Sequence, residues 1–331
     1  MKDVEMRDET GDRFITGNPK RFHDGYFSLL TQIEAGIVNK SWADEFFVSA
    51  SYSKTDKELQ TGSVQTKVYG MAERNSDAWN VSARYGKYNF LTEGMTLKAT
   101  LSHTWDHSIT VDTAYRKYYW DGGYIVSQRN EIRGGEPSMR HYKRPLTIAR
   151  ANLDYRLDGH HSFNLNYHLS RTGNDRYDDL DQSFVPSNDA VTKHIIGLTY
   201  SQSFFDGRMQ NVFFAKDYVN HPNIRQTDQS TVTGSNKVQG STTKNYFGYG
   251  TGLRYMFFEP LAVKVSYEHS VRLPIARELL GNGTTVYANV ALEPEKSNNV
   301  NLSVFGTWRP AGRHTVYYEA NGFLRYVDNY I

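Results

Sequence analysis

Cysteine is absent from all 331 residues, which excludes a disulfide framework and fits passage through an oxidising compartment. Long apolar runs are absent too. Mean hydropathy is −0.64, whereas a membrane-crossing helix needs roughly 20 mostly apolar residues, so a helical membrane protein is excluded. Charge of one sign is lacking: 38 Lys and Arg against 36 Asp and Glu leave a net +2, and no basic run points to nucleic acid. Signatures of chemistry are missing as well. There is no G-x-S-x-G, H-E-x-x-H or P-loop sequence. The reading therefore assigns no catalytic residue, no metal and no cofactor, and expects no enzyme.

What the chain does have is aromatics, 14% of residues with 24 Tyr, and strict alternation. Met95, Leu97, Ala99, Leu101 and Trp105 share one face of a predicted strand, with His103 the only polar interruption. Thr96, Lys98, Thr100, Ser102 and Thr104 share the other. Ala149, Ala151, Leu153 and Tyr155 oppose Arg150, Asn152, Asp154 and Arg156; Phe163, Leu165, Tyr167 and Leu169 oppose Asn164, Asn166, His168 and Ser170. Side chains of a strand point alternately to its two faces, so each segment has a greasy and a wet side. A half-exposed antiparallel sheet in a soluble protein shows the same period. Connection lengths separate the two. Tight turns fall near Asn39–Ala43, Asn89–Gly94, Asp158–His160, Asp206–Arg208, Glu259–Pro260 and Arg309–Arg313. Broad polar stretches alternate with them at Lys54–Asp77, Asp106–Pro145, Thr172–Val191, Asn220–Asn245 and Arg272–Lys296. Only a transmembrane barrel has reason to sort short turns to one rim and long loops to the other.

The predicted fold is thus all-β: an antiparallel transmembrane β-barrel segment of about 12 strands spanning residues 26–331, behind an irregular lead-in over 1–25. Trp79, Trp105, Trp308, Phe204, Phe205, Phe257 and Phe258 fall near predicted strand ends, where aromatic girdles sit in barrels. Val64, Thr66, Val68, Gly70 and Ala72 alternate like a strand but would reverse the loop order, so they are expected to form a β-arm above the membrane. Met1–Asp8 is polar and unlike a secretory signal. The chain stops at Asp328–Ile331 just after a strand. On both counts it is expected to be an internal piece of a larger protein.

At Ser270 the residues point to a family. Ser270-Val271-Arg272-Leu273-Pro274 is followed by Glu278-Leu279, then by Leu292-Glu293-Pro294-Glu295-Lys296-Ser297. This resembles the barrel signature of TonB-dependent outer-membrane receptors, S-x-R-x-P, E-L and L-x-P-E-x-S; the long acidic and aromatic loops resemble Bacteroides-type members. The departure is Asn289-Val290, where many members carry N-P. Arg272, Pro274, Glu278, Leu279, Leu292, Pro294, Glu295 and Ser297 read as structural: Pro274 ends a strand, Arg277–Leu280 makes a short helical turn, and Pro294 stiffens re-entry to the sheet. The resemblance implies a location in the bacterial outer membrane and a barrel of about 22 strands with a plug domain inside it. It also implies partnership with outer-membrane lipid and the TonB complex, and energised uptake of a scarce small molecule or oligosaccharide. A complete 12-stranded passive channel or enzyme, and a soluble β-rich adhesin, stay open as alternatives.

The longest loop carries the best binding candidates: Tyr118, Tyr119, Trp120, Tyr124, Arg129, Arg133, Arg140 and His141, with Tyr115, Arg116 and Tyr142 among them. Rings offer flat faces and arginine offers paired donors to carboxylate or phosphate; packing of the loop against itself is the plainer reading. Asp175, Asp178, Asp179 and Asp181 supply oxygen ligands of the kind calcium takes, without a defined calcium-loop spacing, so a solvated loop is preferred. His103 and His107 are poorly placed to converge on a metal, and His160-His161 reads as a solvated turn. Gly248, Gly250 and Gly252 thin one strand face, as for close approach of a bulky body such as a plug. Haem receptors of the family carry a histidine between R-x-P and the later N-x-x-L element. Pro274 to Asn289 holds none here, only Tyr287, so haem import through this loop is not expected.

Overall fold

The computed structural model describes residues 3–7, 10–11, 13–62, 64–224, 240–280, 289, 291–312 and 314–330. Twelve long strands follow one another as antiparallel neighbours in one sheet. They are β1 Tyr26–Val38, β2 Glu45–Glu58, β3 Glu73–Tyr88, β4 Met95–Asp112, β5 Leu146–Arg156 and β6 His161–Asp178. The second half comprises β7 Ser187–Phe204, β8 Met209–Ile224, β9 Lys244–Phe258, β10 Leu261–Arg272, β11 Glu295–Trp308 and β12 Val316–Asp328. Because every strand pairs with its chain neighbours, alternate connections fall on opposite rims. The short ones follow β1, β3, β5, β7, β9 and β11, as the sequence predicts. Three of them turn through left-handed Asn39, Asn89 and Asp206, residue types whose short polar side chains tolerate that backbone. Among the described residues no ladder joins β12 to β1. Among the described residues the sheet is thus open, with β1 and β12 as its edges.

The register sorts side chains as the alternation requires. Leu97, Ala99 and Leu101 of β4 lie opposite Leu153, Ala151 and Ala149 of β5, and the face continues through Leu165 and Leu198. Leu101, Ile196, Leu198, Phe213, Val265 and Leu302 on this face are each 44–53% exposed. An apolar band that wide needs lipid or a partner against it. The other face is a polar lattice. Ser49 and Ser82 hydroxyls bond at 2.7 Å, Asn80 donates to Thr104 Oγ1 at 2.8 Å, Asn152 to Asn166 Oδ1 at 2.6 Å and Lys216 to Glu268 at 3.1 Å. Each of these groups is satisfied by a cross-strand neighbour, which is how a wet inner wall holds its shape.

The strands run past the apolar band. Trp79 and Trp105 face each other directly in mid-strand, and Tyr52 packs 4.7 Å from Trp79. From Met95 to Trp105 is about 33 Å along the strand at about 3.3 Å per residue, or about 23 Å of height at a tilt of about 45°. That matches an apolar band about 25 Å tall. Phe204, Phe205, Phe257, Phe258 and Trp308 sit at the short-turn rim, so the aromatics fall at two heights. Trp79 and Trp105 are not at strand ends as expected, because polar residues carry β3 and β4 onward above them.

That continuation shortens the predicted loops. β4 runs to Asp112, and Ser138–Lys143 forms a strand between β4 and β6 where β5 would continue upward. Pro145 cannot donate to the ladder. Its carbonyl accepts from Gly173 N–H at 2.8 Å, and Arg144 N–H donates to the Asp106 carbonyl at 2.8 Å, so the break is stitched on both sides. The loop expected over Asp106–Pro145 is therefore confined to 113–137. Val64–Ala72 does stand with the long loops but forms no strand ladder among the described residues: isolated bridges join Thr61 to Val68 and Val68 to Tyr118, and two further backbone bonds tie residues 59 and 60 to 72 and 69. The lead-in is partly ordered, with Val4–Arg7 paired to Phe14–Gly17.

The three glycines of β9 face the inner side, but the bulky bodies there are side chains of β8. A Cβ at Gly250 would collide with the Phe214 ring, and one at Gly248 would come 3.0 Å from Tyr218. Only Gly252 stays open, its nearest neighbour 3.8 Å away.

Candidate functional site

The long-loop rim is built from three devices. The first is a cap formed by the lead-in hairpin, residues 59–72 and residues 113–137. Tyr118 and Trp120, predicted as ligand contacts, are buried in its core with Val4 and Val68. Trp120 Nε1 donates to the Gln65 carbonyl at 3.2 Å. Tyr119 lies under the Arg7 guanidinium at 4.6 Å, and Arg7 pairs with Asp121 at 3.0 Å. Two buried carboxylates pin the cap. Glu131 Oε2 accepts from Gly70, Met71 and Ala72 N–H at 3.0–3.1 Å. Asp112 accepts from Glu131, Ile132 and Arg133 N–H at 2.8–3.2 Å. The Glu131 bonds take up the N–H groups of Gly70, Met71 and Ala72, the end of the stretch predicted as an arm. Burial pushes the Glu131 carboxyl up despite its three donors, and nearby Asp112 adds to the rise. Tyr124, Arg129 and Arg133 face solvent; Arg116 stacks over Tyr124 at 4.2 Å, and Tyr115 donates to Glu136 at 2.6 Å.

The second device is a clamp across the raised wall. Arg140, whose side chain is 5% exposed, pairs with Asp178 at 3.1 Å and Asp181 at 3.2 Å and lies 3.8 Å over the Phe184 ring. His141 Nε2 meets Asp179 at 2.9 Å, its Nδ1 meets His107 Nε2 at 3.0 Å, and its ring stacks on Tyr177 at 4.4 Å. Three of the four aspartates offered above for calcium, Asp178, Asp179 and Asp181, are thus engaged by Arg140 and His141. Among the described residues no group of three His, Asp or Glu is arranged to hold a metal. His103 goes elsewhere, to Thr147 Oγ1 at 2.8 Å.

The third device is the motif segment. Beyond β10 the chain turns inward and forms helix α1, Ala276–Leu280. Glu278 caps it, accepting from Ile275 N–H at 2.8 Å and from Arg272 Nη2 at 2.7 Å. Against the upward push of burial, these donors hold its carboxyl below the ordinary range. Leu279 and Leu280 pack on Val191 and Ile224 of the inner wall, with Ala276 and Leu292 alongside. The Lys193 ammonium donates to the Pro274 carbonyl. Pro274 and Pro294 are fully buried, Glu295 accepts from Arg325 at 2.7 Å, and the Ser270 and Ser297 hydroxyls bond at 2.8 Å. Each motif residue named from the sequence is buried or makes a contact in this segment or the strands beside it. Tyr287 lies outside the described residues.

Between α1 and the raised wall lies a cavity of about 370 Å³ lined by Arg74, Tyr142, Arg144, Asn174 and Arg277, among others. Of these the sequence reading offered only Tyr142 as a binding candidate, and Arg277 only as part of a short helical turn. Arg74, Asn174 and Arg277 come from distant elements that only the fold gathers, and no local pattern announces them.

The sequence matches the family described as "TonB dependent receptor-like, beta-barrel" over residues 27–331. No curated protein matches. Among solved structures, a copper transporter, OprC, aligns with a TM-score of 0.66 at 10% identity, covering 98% of this chain and 47% of that one. The hemophore receptor HasR of Serratia marcescens, solved with hemophore HasA and heme, gives 0.58 at 14% identity, with 98% and 48% covered. The siderophore receptor PiuA of Acinetobacter baumannii gives 0.57 at 12% identity, with 90% and 50% covered. At such identities the likeness is one of fold. The chain spans about half the length of these structures.

Proposed function

The chain belongs to the TonB-dependent receptor-like β-barrel family, and from that membership we propose that it supplies wall and extracellular loops to a receptor for energised uptake of a scarce ligand. Barrels of this family sit in the outer membrane of Gram-negative bacteria, and the apolar outer band and polar inner face suit that place. The ligand classes in view are an iron chelate, a cofactor or an oligosaccharide. The partners of the reading are a plug inside the barrel, the TonB complex that pulls on it, and outer-membrane lipid. The observation that carries the reading is the family match over 27–331; the buried core formed by the motif segment around α1 accompanies it. The role is transport, with no catalytic step.

The test is accumulation. Cells making the full-length receptor are expected to concentrate its ligand only while the proton gradient stands, and a protonophore should abolish the gain. Cells making this chain alone should show none, because an open sheet with two free edges encloses no pore and invites pairing with other chains. Gradient-dependent accumulation by the chain alone would refute this.

Haem is not expected as the ligand of the motif loop, which offers no histidine between Pro274 and Asn289. Titrating the full-length receptor with haem should give no Soret shift that Tyr287→Phe removes; such a shift would place an iron ligand there.

A further inference from the structure

We propose that the cavity between α1 and the raised wall binds the carboxylate or phosphate group of the imported molecule. The inference rests on the uptake reading above, since it names the chemistry of a ligand held at the mouth of that barrel.

Charge is the first ground. Arg74 of β3 and Arg277 of α1 reach the same cavity from opposite sides. Neither is paired with a carboxylate among the described residues; Arg74 Nε meets only the Thr110 hydroxyl, at 3.3 Å. Three acids of α1 and the raised wall are committed elsewhere. Glu278 is held by Arg272, and Asp178 and Asp181 by Arg140. Arg144, the third guanidinium, is attracted by Asp106 on the wall below it. Two positive charges are therefore left without a partner in a concave site, an arrangement that an anion completes with paired, charge-assisted hydrogen bonds.

Unused donors are the second ground. Asn174 is buried and its Nδ2 has no hydrogen-bond partner. An orphaned buried donor is costly, and a bound acceptor relieves it. The Tyr142 oxygen accepts from Arg133 Nη2 at 3.0 Å, which leaves its own hydrogen to donate. Arg144 lies 5.1 Å over the Tyr142 ring and steadies it. Donors outnumber acceptors around the cavity.

The size and lining choose among ligand classes. About 370 Å³ lies within the range of small-molecule sites. A neutral sugar would want aromatic faces to stack on, and Tyr142, the one aromatic among the lining residues, already carries Arg144 on its ring. An acidic chelate or a phosphorylated compound fits better than a neutral oligosaccharide.

Isothermal titration of the purified full-length receptor at low ionic strength decides the matter, with citrate, pyrophosphate and neutral maltotriose as probes. Citrate or pyrophosphate should bind, maltotriose should not, and added salt should weaken binding. The two anions tell carboxylate from phosphate. Arg74→Gln and Arg277→Gln should each weaken binding about tenfold through loss of a charge-assisted hydrogen bond. Asn174→Asp, nearly isosteric but anionic, should abolish it, and Arg309→Gln at the opposite rim should change nothing. Unaltered circular dichroism in each variant guards against misfolding. Failure of both anions to bind, or undiminished binding by all three cavity variants, overturns the inference. Gradient-dependent uptake, measured separately, would then still stand.

Discussion

Arg140→Ala is expected to release the clamp over the raised wall and cost about 3–5 kcal/mol, as for a buried ion pair that loses one partner. The carboxylate it abandons, Asp178, has a fully buried side chain, and Phe184 loses the cation above its ring. Hydrogen exchange on the full-length receptor should show protection lost across Ser138–Lys143 and the connection 179–186, with the lower wall unchanged. Asp178 keeps the N–H groups of Met139, Leu180 and Asp181, so the lower end of the range is the better expectation. If Arg140 instead serves as a ligand contact, the substitution will weaken binding while exchange stays as it was.

Leu280→Ala should free the inward segment at a cost of about 2–5 kcal/mol, the range for emptying a buried leucine site. Leu280 is 2% exposed and Leu279 1%, and together they are the apolar anchor of α1 on Val191 and Ile224. Limited proteolysis should cut within 273–280 in the variant and not in the wild type. Ile275→Ala, at a side chain 50% exposed, should stay within about 0.5 kcal/mol of wild type, as surface changes do. Equal cleavage of the two variants would show that packing on the inner wall does not hold the segment.

The wall was legible in the sequence because lipid imposes a strict period: one face must be apolar at every second residue between the two interfaces. The short turns were legible for a similar local reason, since each must reverse the chain in a few residues. Above Trp105 that constraint ends. In Asp106–Asp112 and Ser138–Lys143 only Ile109, Val111 and Met139 carry the apolar face on, among charged residues and histidines, so the period is too short and broken to mark a strand and they read as loop. The candidate site divides along the same line. The short helix at Arg277–Leu280 was visible from local sequence. The burial of Tyr118, Trp120 and Arg140 was not, because aromatic and arginine residues look alike whether they face a ligand or each other. Arg74, Asn174 and Arg277 lie on β3, β6 and α1, and only the folding of these elements onto one another brings them together.

The unequal lengths of the strands give the rim a slope. β4, β6 and β7 have 18 residues each, whereas β10 has 12 and β12 has 13. Past Trp105, β4 continues to Asp112, about 23 Å along the strand or about 16 Å of height at a tilt of about 45°. Along this arc the rim of the wall is oblique, like the edge of a pipe cut on the bias. An oblique cut has a larger aperture than a level one of equal bore, and it opens partly sideways, parallel to the bilayer. The short β10 leads straight into α1, so the helix packs on the inner wall at the low side of this slope.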